Sequence, residues 1–196
     1  SPQVIESIRS GKIKLEQGGK RSQIASIFID IVNSTERIAR IDQNKVEKVI
    51  SRFFDDASRI LLKYDITIDK FVGDGIIAFC NAPLKRDDYV NRVVNAALEI
   101  SEKVKMEQEF FERHWQKALE LRIGIAKGYA NVGFYGNQKH FRSFTAIGPV
   151  MNLASRLCSY AKPNKILVDF DVFEVIQHDF ETKYFGKVSL KRFEQD

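Results

Sequence analysis

The sequence predicts an α+β fold, and three observations carry that expectation. Short apolar runs of strand length alternate with longer stretches whose apolar residues recur every three or four positions. Two of the short runs, Ile66–Phe71 and Ile76–Cys80, are joined at Gly73-Asp74-Gly75, a tight turn of the kind that closes hairpins. The order along the chain is strand, helix, strand, strand, helix, strand. That is the ferredoxin-like βαββαβ unit, in which both helices pack on one face of an antiparallel core sheet, here extended by additional strands and helices.

Each element has its own justification. The first 22 residues hold Gly11, Gly18 and Gly19 among basic neighbours with little periodicity, and read as a linker or coupling arm leading into a domain over residues 23–196. Ser26–Val32 is an apolar strand run whose only charge is Asp30. Asn33-Ser34-Thr35-Glu36 reads as a helix start, with an acceptor at the cap and Glu at the third helical position. The helix that follows lines up Val46, Val49, Ile50, Phe53, Phe54, Ala57, Ile60 and Leu61 on one face. A second helix begins near Asp87 and gathers Val90, Val93, Val94, Ala97 and Ile100. Leu121–Ala126 completes the unit as a strand. Beyond it, Tyr129–Tyr135 reads as a strand, Gly136–Arg142 as a polar, basic loop and Gly148–Tyr160 as a helix. Lys165–Asp169, an acidic helical turn and Tyr184–Leu190 add strands and a short helix. There is no internal repeat and no low-complexity segment.

A chain of 196 residues, 44% hydrophobic and led in aromatics by 15 Phe, can bury one substantial core without disulfides or structural metal. Thirty-one Lys and Arg against 26 Asp and Glu leave a formal charge of +5. Those basic residues are spread along the chain, so they read as a solvated surface rather than a nucleic-acid face. Cys80 and Cys158 stand far apart in apolar or helical contexts, as small buried side chains of a reduced, cytoplasmic protein. No apolar run reaches membrane-span length, so this domain is expected to make no membrane contact itself. Because it begins at Ser1, the chain is expected to be part of a longer protein, free or membrane-tethered, with a regulatory or sensor domain upstream.

The chemistry concentrates on a few charges in apolar settings. Asp30 ends the run Ile27-Phe28-Ile29, and Asp74 lies at the hairpin tip. A carboxylate there is costly unless something offsets its desolvation, and a bound cation is a common solution. Asn152 and Arg156, four apart on one helix, share a face and suit a phosphate or a developing oxyanion, although such a pair is more often a solvated helix side. Lys70 on a strand near a turn is, by itself, an exposed charge.

Together these runs take on more meaning. Phe28-Ile29-Asp30-Ile31-Val32-Asn33-Ser34-Thr35, Lys70-Phe71-Val72-Gly73-Asp74-Gly75 and Phe144-Thr145-Ala146-Ile147-Gly148, continuing through Asn152-Leu153-Ala154-Ser155-Arg156, closely resemble the successive motifs of class III nucleotidyl cyclase catalytic domains. The resemblance covers roughly residues 23 to 196 and implies the same extended ferredoxin-like fold. It implies that Asp30, Asp74 and the Ile31 carbonyl hold two divalent ions, Mg2+ or Mn2+. It gives Lys70 and Thr145 the reading of the adenine ring, Asn152 the ribose, and Arg156 the phosphate under attack. Lys191, in Ser189-Leu190-Lys191-Arg192-Phe193, matches the lysine that holds the terminal phosphates. Many family members carry Asp where Thr145 stands, Thr being usual in a large bacterial branch.

The resemblance further implies a head-to-tail homodimer, with the aspartates from one copy and the lysine, threonine, asparagine and arginine from the other. The expected activity is conversion of ATP to 3′,5′-cyclic AMP and pyrophosphate. A guanylyl or relaxed-specificity cyclase is the alternative among enzymes. A non-catalytic nucleotide-sensing dimerisation domain is the alternative outside them, although no aspartate and no Arg156 is lost here. The Gly-Gly-(Asp/Glu)-Glu-Phe signature of diguanylate cyclases is absent.

Overall fold

Alternation along β1 (Gly18–Ile31) builds the molecule in two layers around its sheet. Ala25, Ile27, Ile29 and Ile31 point into the larger core, whereas Ile24 and Phe28 point into a smaller one on the opposite face. Asp30 shares the parity of Ile24 and Phe28, so it belongs to the second face. The computed structural model describes residues 2–11, 18–137 and 140–187.

The larger core lies under α3 (Gln43–Lys63) and α4 (Tyr89–Met106). All of the apolar positions expected of these two helices are buried or packed against that core. The same side also takes α5 (Gln108–Trp115), which brings in Phe111 and Trp115, and α7 (Phe170–Ile176), which brings in Val172 and Ile176. β2 (Thr67–Val72) and β3 (Gly75–Cys80) form the expected antiparallel hairpin. Its turn places Gly73 at φ +61°, where a side chain would be strained, and leaves Asp74 outside the left-handed region, the II′ pattern that suits twisted strands.

The spatial order is β2-β3-β1-β4-β5, with β4 (Leu121–Asn137) also pairing with β6 (Lys165–Val168). Its first four strands have the arrangement of the ferredoxin-like unit. β4 is split along one edge: Arg122–Ile125 pairs in parallel with β6, and Asn131–Asn137 pairs antiparallel with β5 (Phe141–Ile147). The smaller core is closed by α6 (Pro149–Tyr160), whose Val150, Met151 and Ala154 pack on Ile24, Ala126 and Ala130. Gly124 permits this approach. A Cβ there would lie within 2.9 Å of Cys158 Cα, and closer still to Ala154 O and Cys158 N. Cys80 and Cys158 are free, buried thiols.

Several local expectations are corrected. Pro2–Arg9 forms α1, and β1 starts at Gly18 rather than Ser26, because β4 pairs with β1 from Gly18↔Phe134 to Ile31↔Leu121 without interruption. The same pairing merges the strands read at Leu121–Ala126 and Tyr129–Tyr135 into one. The capping box does not form. Asn33 takes a left-handed conformation with no side-chain cap, α2 (Ser34–Ile38) ends after five residues, and α3 restarts behind Asp42, whose side chain accepts from Asn44 N. α5 and β5 were not legible, β5 lying partly within the stretch read as a loop. Tyr184–Lys187 is not a strand, and the rest of the strand read to Leu190 lies outside the described residues.

Candidate active site

Two groups of polar side chains stand out on the sheet. The first forms where the ends of β1, β4 and the β2–β3 hairpin meet. Asp30 points out of β1 beside the hairpin tip, and Asp74 Oδ2 accepts from the backbone N–H of Ile31 at 3.3 Å. Burial pushes the Asp30 carboxyl above its ordinary range; a hydrogen bond from Arg122 works against this, and the like charge of Asp74 adds to it. Arg122 stands opposite Asp30 in the register of β1 and β4, and its guanidinium donates to Asp30 Oδ2.

Two adjacent carboxylates, of which Asp30 is paired with Arg122, fit a hard divalent cation, because such an ion removes their repulsion and prefers oxygen donors. Among the described residues no group of three or more His, Cys, Asp or Glu side chains is placed to hold a metal. Coordination would therefore be completed by backbone carbonyl, such as that of Ile31, and by ligand oxygens, the usual arrangement for magnesium with phosphates.

The second group lies further along the hairpin. β2 has a bulge, since Ile68 pairs with Ala78 and Lys70 with Ile77, leaving Asp69 as the extra residue. Lys70 thus faces the same way as Ile77, toward the core under α6, while Phe71 turns to the other side and stacks on Phe54 at 4.5 Å. Thr145 on β5 donates its hydroxyl to Asp69 Oδ2 at 2.9 Å, and Lys70 Nζ lies 3.5 Å from the same oxygen. Burial pushes the Asp69 carboxyl up, whereas Thr145 and Lys70 oppose that shift. Lys70 and Thr145, 75 positions apart by their numbers, thus meet through a common carboxylate.

Asn152 and Arg156 are on α6, on the side turned away from Val150, Met151, Ala154 and Cys158, which face the sheet. Asn152 is exposed and Arg156 half-buried. Lys191 lies outside the described residues. Sequence reasoning missed Asp69 and Arg122. Arg122 carried the signal that singled out Asp30, a lone charge in the apolar run Leu121–Ala126; Asp69 sits beside Lys70 and gave no such signal.

Residues 17–195 match the family described as adenylate and guanylate cyclase catalytic domain. The chain belongs to that family. This cyclase domain resembles the crystal structure of the adenylyl cyclase CyaB from P. aeruginosa, with a TM-score of 0.86, 28% identity and 92% of each chain covered. It also resembles that of the guanylyl cyclase Cya2, with a TM-score of 0.76, 26% identity and 81% and 80% of the two chains covered. A sequence relative, adenylate cyclase 1 of Rhizobium meliloti, is 28% identical over 155 residues, covering 78% of this chain and 23% of the relative. The cyclase domain spans about a quarter of the length of the curated relatives it matches. No helix among the described residues is long and apolar enough to cross a membrane.

Proposed function

We propose that this cyclase domain is an adenylyl cyclase, converting ATP to 3′,5′-cyclic AMP and pyrophosphate at sites shared between two copies of the chain. The observation that carries the choice of base is the grouping of Lys70 with Thr145 around one carboxylate. A lysine ammonium donates to N1 of adenine, and a threonine oxygen accepts from the 6-amino group. Guanine offers at N1 a donor, which the Lys70 ammonium opposes, and at O6 an acceptor in place of the amino group.

The shared site is supported by the placement of α6. Asn152 and Arg156 stand on the side of the helix away from their own sheet, while Asp30 and Asp74 lie at the end of that sheet. A second copy laid head-to-tail over this face brings the two sets together twice, in two equivalent sites. In each, Asp30, Asp74 and the Ile31 carbonyl of one copy hold the divalent ions and orient the triphosphate. Bound there, Mg2+ or Mn2+ would lower the pKa of the 3′-hydroxyl and neutralise phosphate oxygens. Asn152 of the other copy orients the ribose, and Lys191 holds the terminal phosphates. The 3′-oxygen bonds to the α-phosphorus, its proton leaves to solvent, and the bond from the α-phosphorus to pyrophosphate breaks. Arg156 keeps a fixed positive charge beside the oxygens where negative charge grows. The region before the domain, with α1, serves as the coupling arm from an upstream sensor in a cytoplasmic setting.

The test is cyclic nucleotide formation by the purified chain with ATP or GTP, in Mg2+ and in Mn2+, across protein concentrations. The expected result is ATP turnover with specific activity rising with concentration. A clear preference for GTP would overturn the reading of Lys70, and absence of product from a verified dimer would move the domain to a regulatory role.

A further inference from the structure

We infer that Asp69 sets the base preference of the site, by holding the Thr145 hydroxyl in one direction so that only its acceptor lone pairs face the purine. This rests on the reading of Lys70 and Thr145 as the base-contacting pair. Threonine alone discriminates poorly, because its hydroxyl can donate to guanine O6 as well as accept from the adenine amino group. A hydroxyl has one proton, however, and an ionised carboxylate accepts only. With the Thr145 proton on Asp69 Oδ2 at 2.9 Å, the oxygen has only lone pairs left for the ligand. The same oxygen lies 3.5 Å from Lys70 Nζ, so Asp69 also draws the ammonium toward Thr145 and leaves its other N–H groups to donate.

The placement of Asp69 is unlike that of an ordinary surface acid. Its side chain is 2% exposed, against 49% for Lys70, and Oδ1 is buried with no hydrogen-bond partner among the described residues. A buried acceptor without a donor is costly, and native structures keep few of them. The β-bulge puts this residue where it is, as the unpaired extra position between Ile68 and Lys70, a device found next to active sites to re-aim a side chain. Asp69 is thus a positioning residue: it acts on the base through Thr145 and Lys70.

The test compares ATP with GTP in the full chain, by the ratio of kcat/KM values and by equilibrium binding of non-cyclisable ATP and GTP analogues. The variants are Asp69→Asn, Thr145→Val and the two combined. An asparagine amide can donate to Thr145 and so turn its proton toward guanine O6. Asp69→Asn is therefore expected to lower the ATP-to-GTP ratio by about tenfold or more in both readouts, and to lower it little further when added to Thr145→Val. A purely structural role would depress both nucleotides together; an unchanged ratio in an ATP-selective parent overturns the inference. Should Asp69→Asn fail to fold, Asp69→Ala, which also removes the unpartnered oxygen, makes the same comparison. A parent without ATP preference would instead overturn the base-contact reading itself, before any variant is considered.

Discussion

Arg122 on β4 reaches across to Asp30 on β1 and donates to its Oδ2 from the position directly opposite in the strand register. Each is the lone charge of its local apolar run, Ser26–Val32 and Leu121–Ala126, and each side chain is about a third exposed, at 30% and 33%. The pair keeps the Asp30 carboxylate compensated beside Asp74, whose charge would otherwise act on it unopposed.

Removing that compensation is expected to weaken the metal-free protein. Arg122→Ala removes the cation paired with Asp30 and leaves the like charge of Asp74 beside it, at a cost of about 1–2 kcal/mol once partial exposure is allowed for. Added Mn2+ should restore more stability to the variant than to the parent. Thermal denaturation of both, with and without metal, checks this; equal stabilisation would argue against the compensating role of Arg122, and no stabilisation of either protein against a cation site at Asp30 and Asp74.

Complementation tests the shared site. Asp30→Ala and Arg156→Ala are each expected to lose two or more orders of magnitude in turnover. Random exchange makes half of the dimers mixed, each with one intact site of two, so an equal mixture should recover about a quarter of parent activity. No recovery under conditions of demonstrated subunit exchange would sink the two-copy arrangement.

Gly124 ties stability to catalysis through α6. A methyl group there overlaps the backbone of Ala154 and Cys158, which is not free to rotate away. Gly124→Ala should cost about 1–3 kcal/mol and displace the helix that carries Asn152 and Arg156, lowering kcat while far-UV dichroism stays near that of the parent. Unchanged kcat would mean that α6 need not sit where Gly124 admits it.

Asp169 supplies a pH dependence away from the proposed metal ligands. It caps α7 by accepting from Val172 N at 2.9 Å and also accepts from Lys127 N at 3.2 Å, yet burial pushes its carboxyl up to about 6. Between its ordinary value of 3.8 and about 6, the folded state holds more protons than the unfolded one, so this group's contribution to stability falls as pH rises through that window. The parent is therefore expected to lose stability relative to Asp169→Asn as pH rises from about 4 to about 6. Denaturant midpoints across that range measure the difference, and a constant gap between the two proteins would refute it.

By itself the sequence determined the elements whose side chains repeat with a clear period and the turns with a steric requirement. The face of α3 from Val46 to Leu61, that of α4 from Val90 to Ile100, and the hairpin closed at Gly73-Asp74 were all legible, because periodicity and left-handed backbone are local properties. So were Asp30, as a charge that an apolar strand run does not tolerate without a reason, and Asp74, as the acid at the hairpin tip. The tertiary structure alone decided the length of β1 and β4, since a 14-residue strand survives its polar, glycine-containing start only because β4 pairs with it throughout. It alone made β5 a strand, by pairing it with the far half of β4. It also brought Arg122 to Asp30 across 92 positions and Thr145 to Asp69 across 76. Contacts of that range follow from strand order and from a one-residue bulge, and neither leaves a periodic trace in the residues that meet.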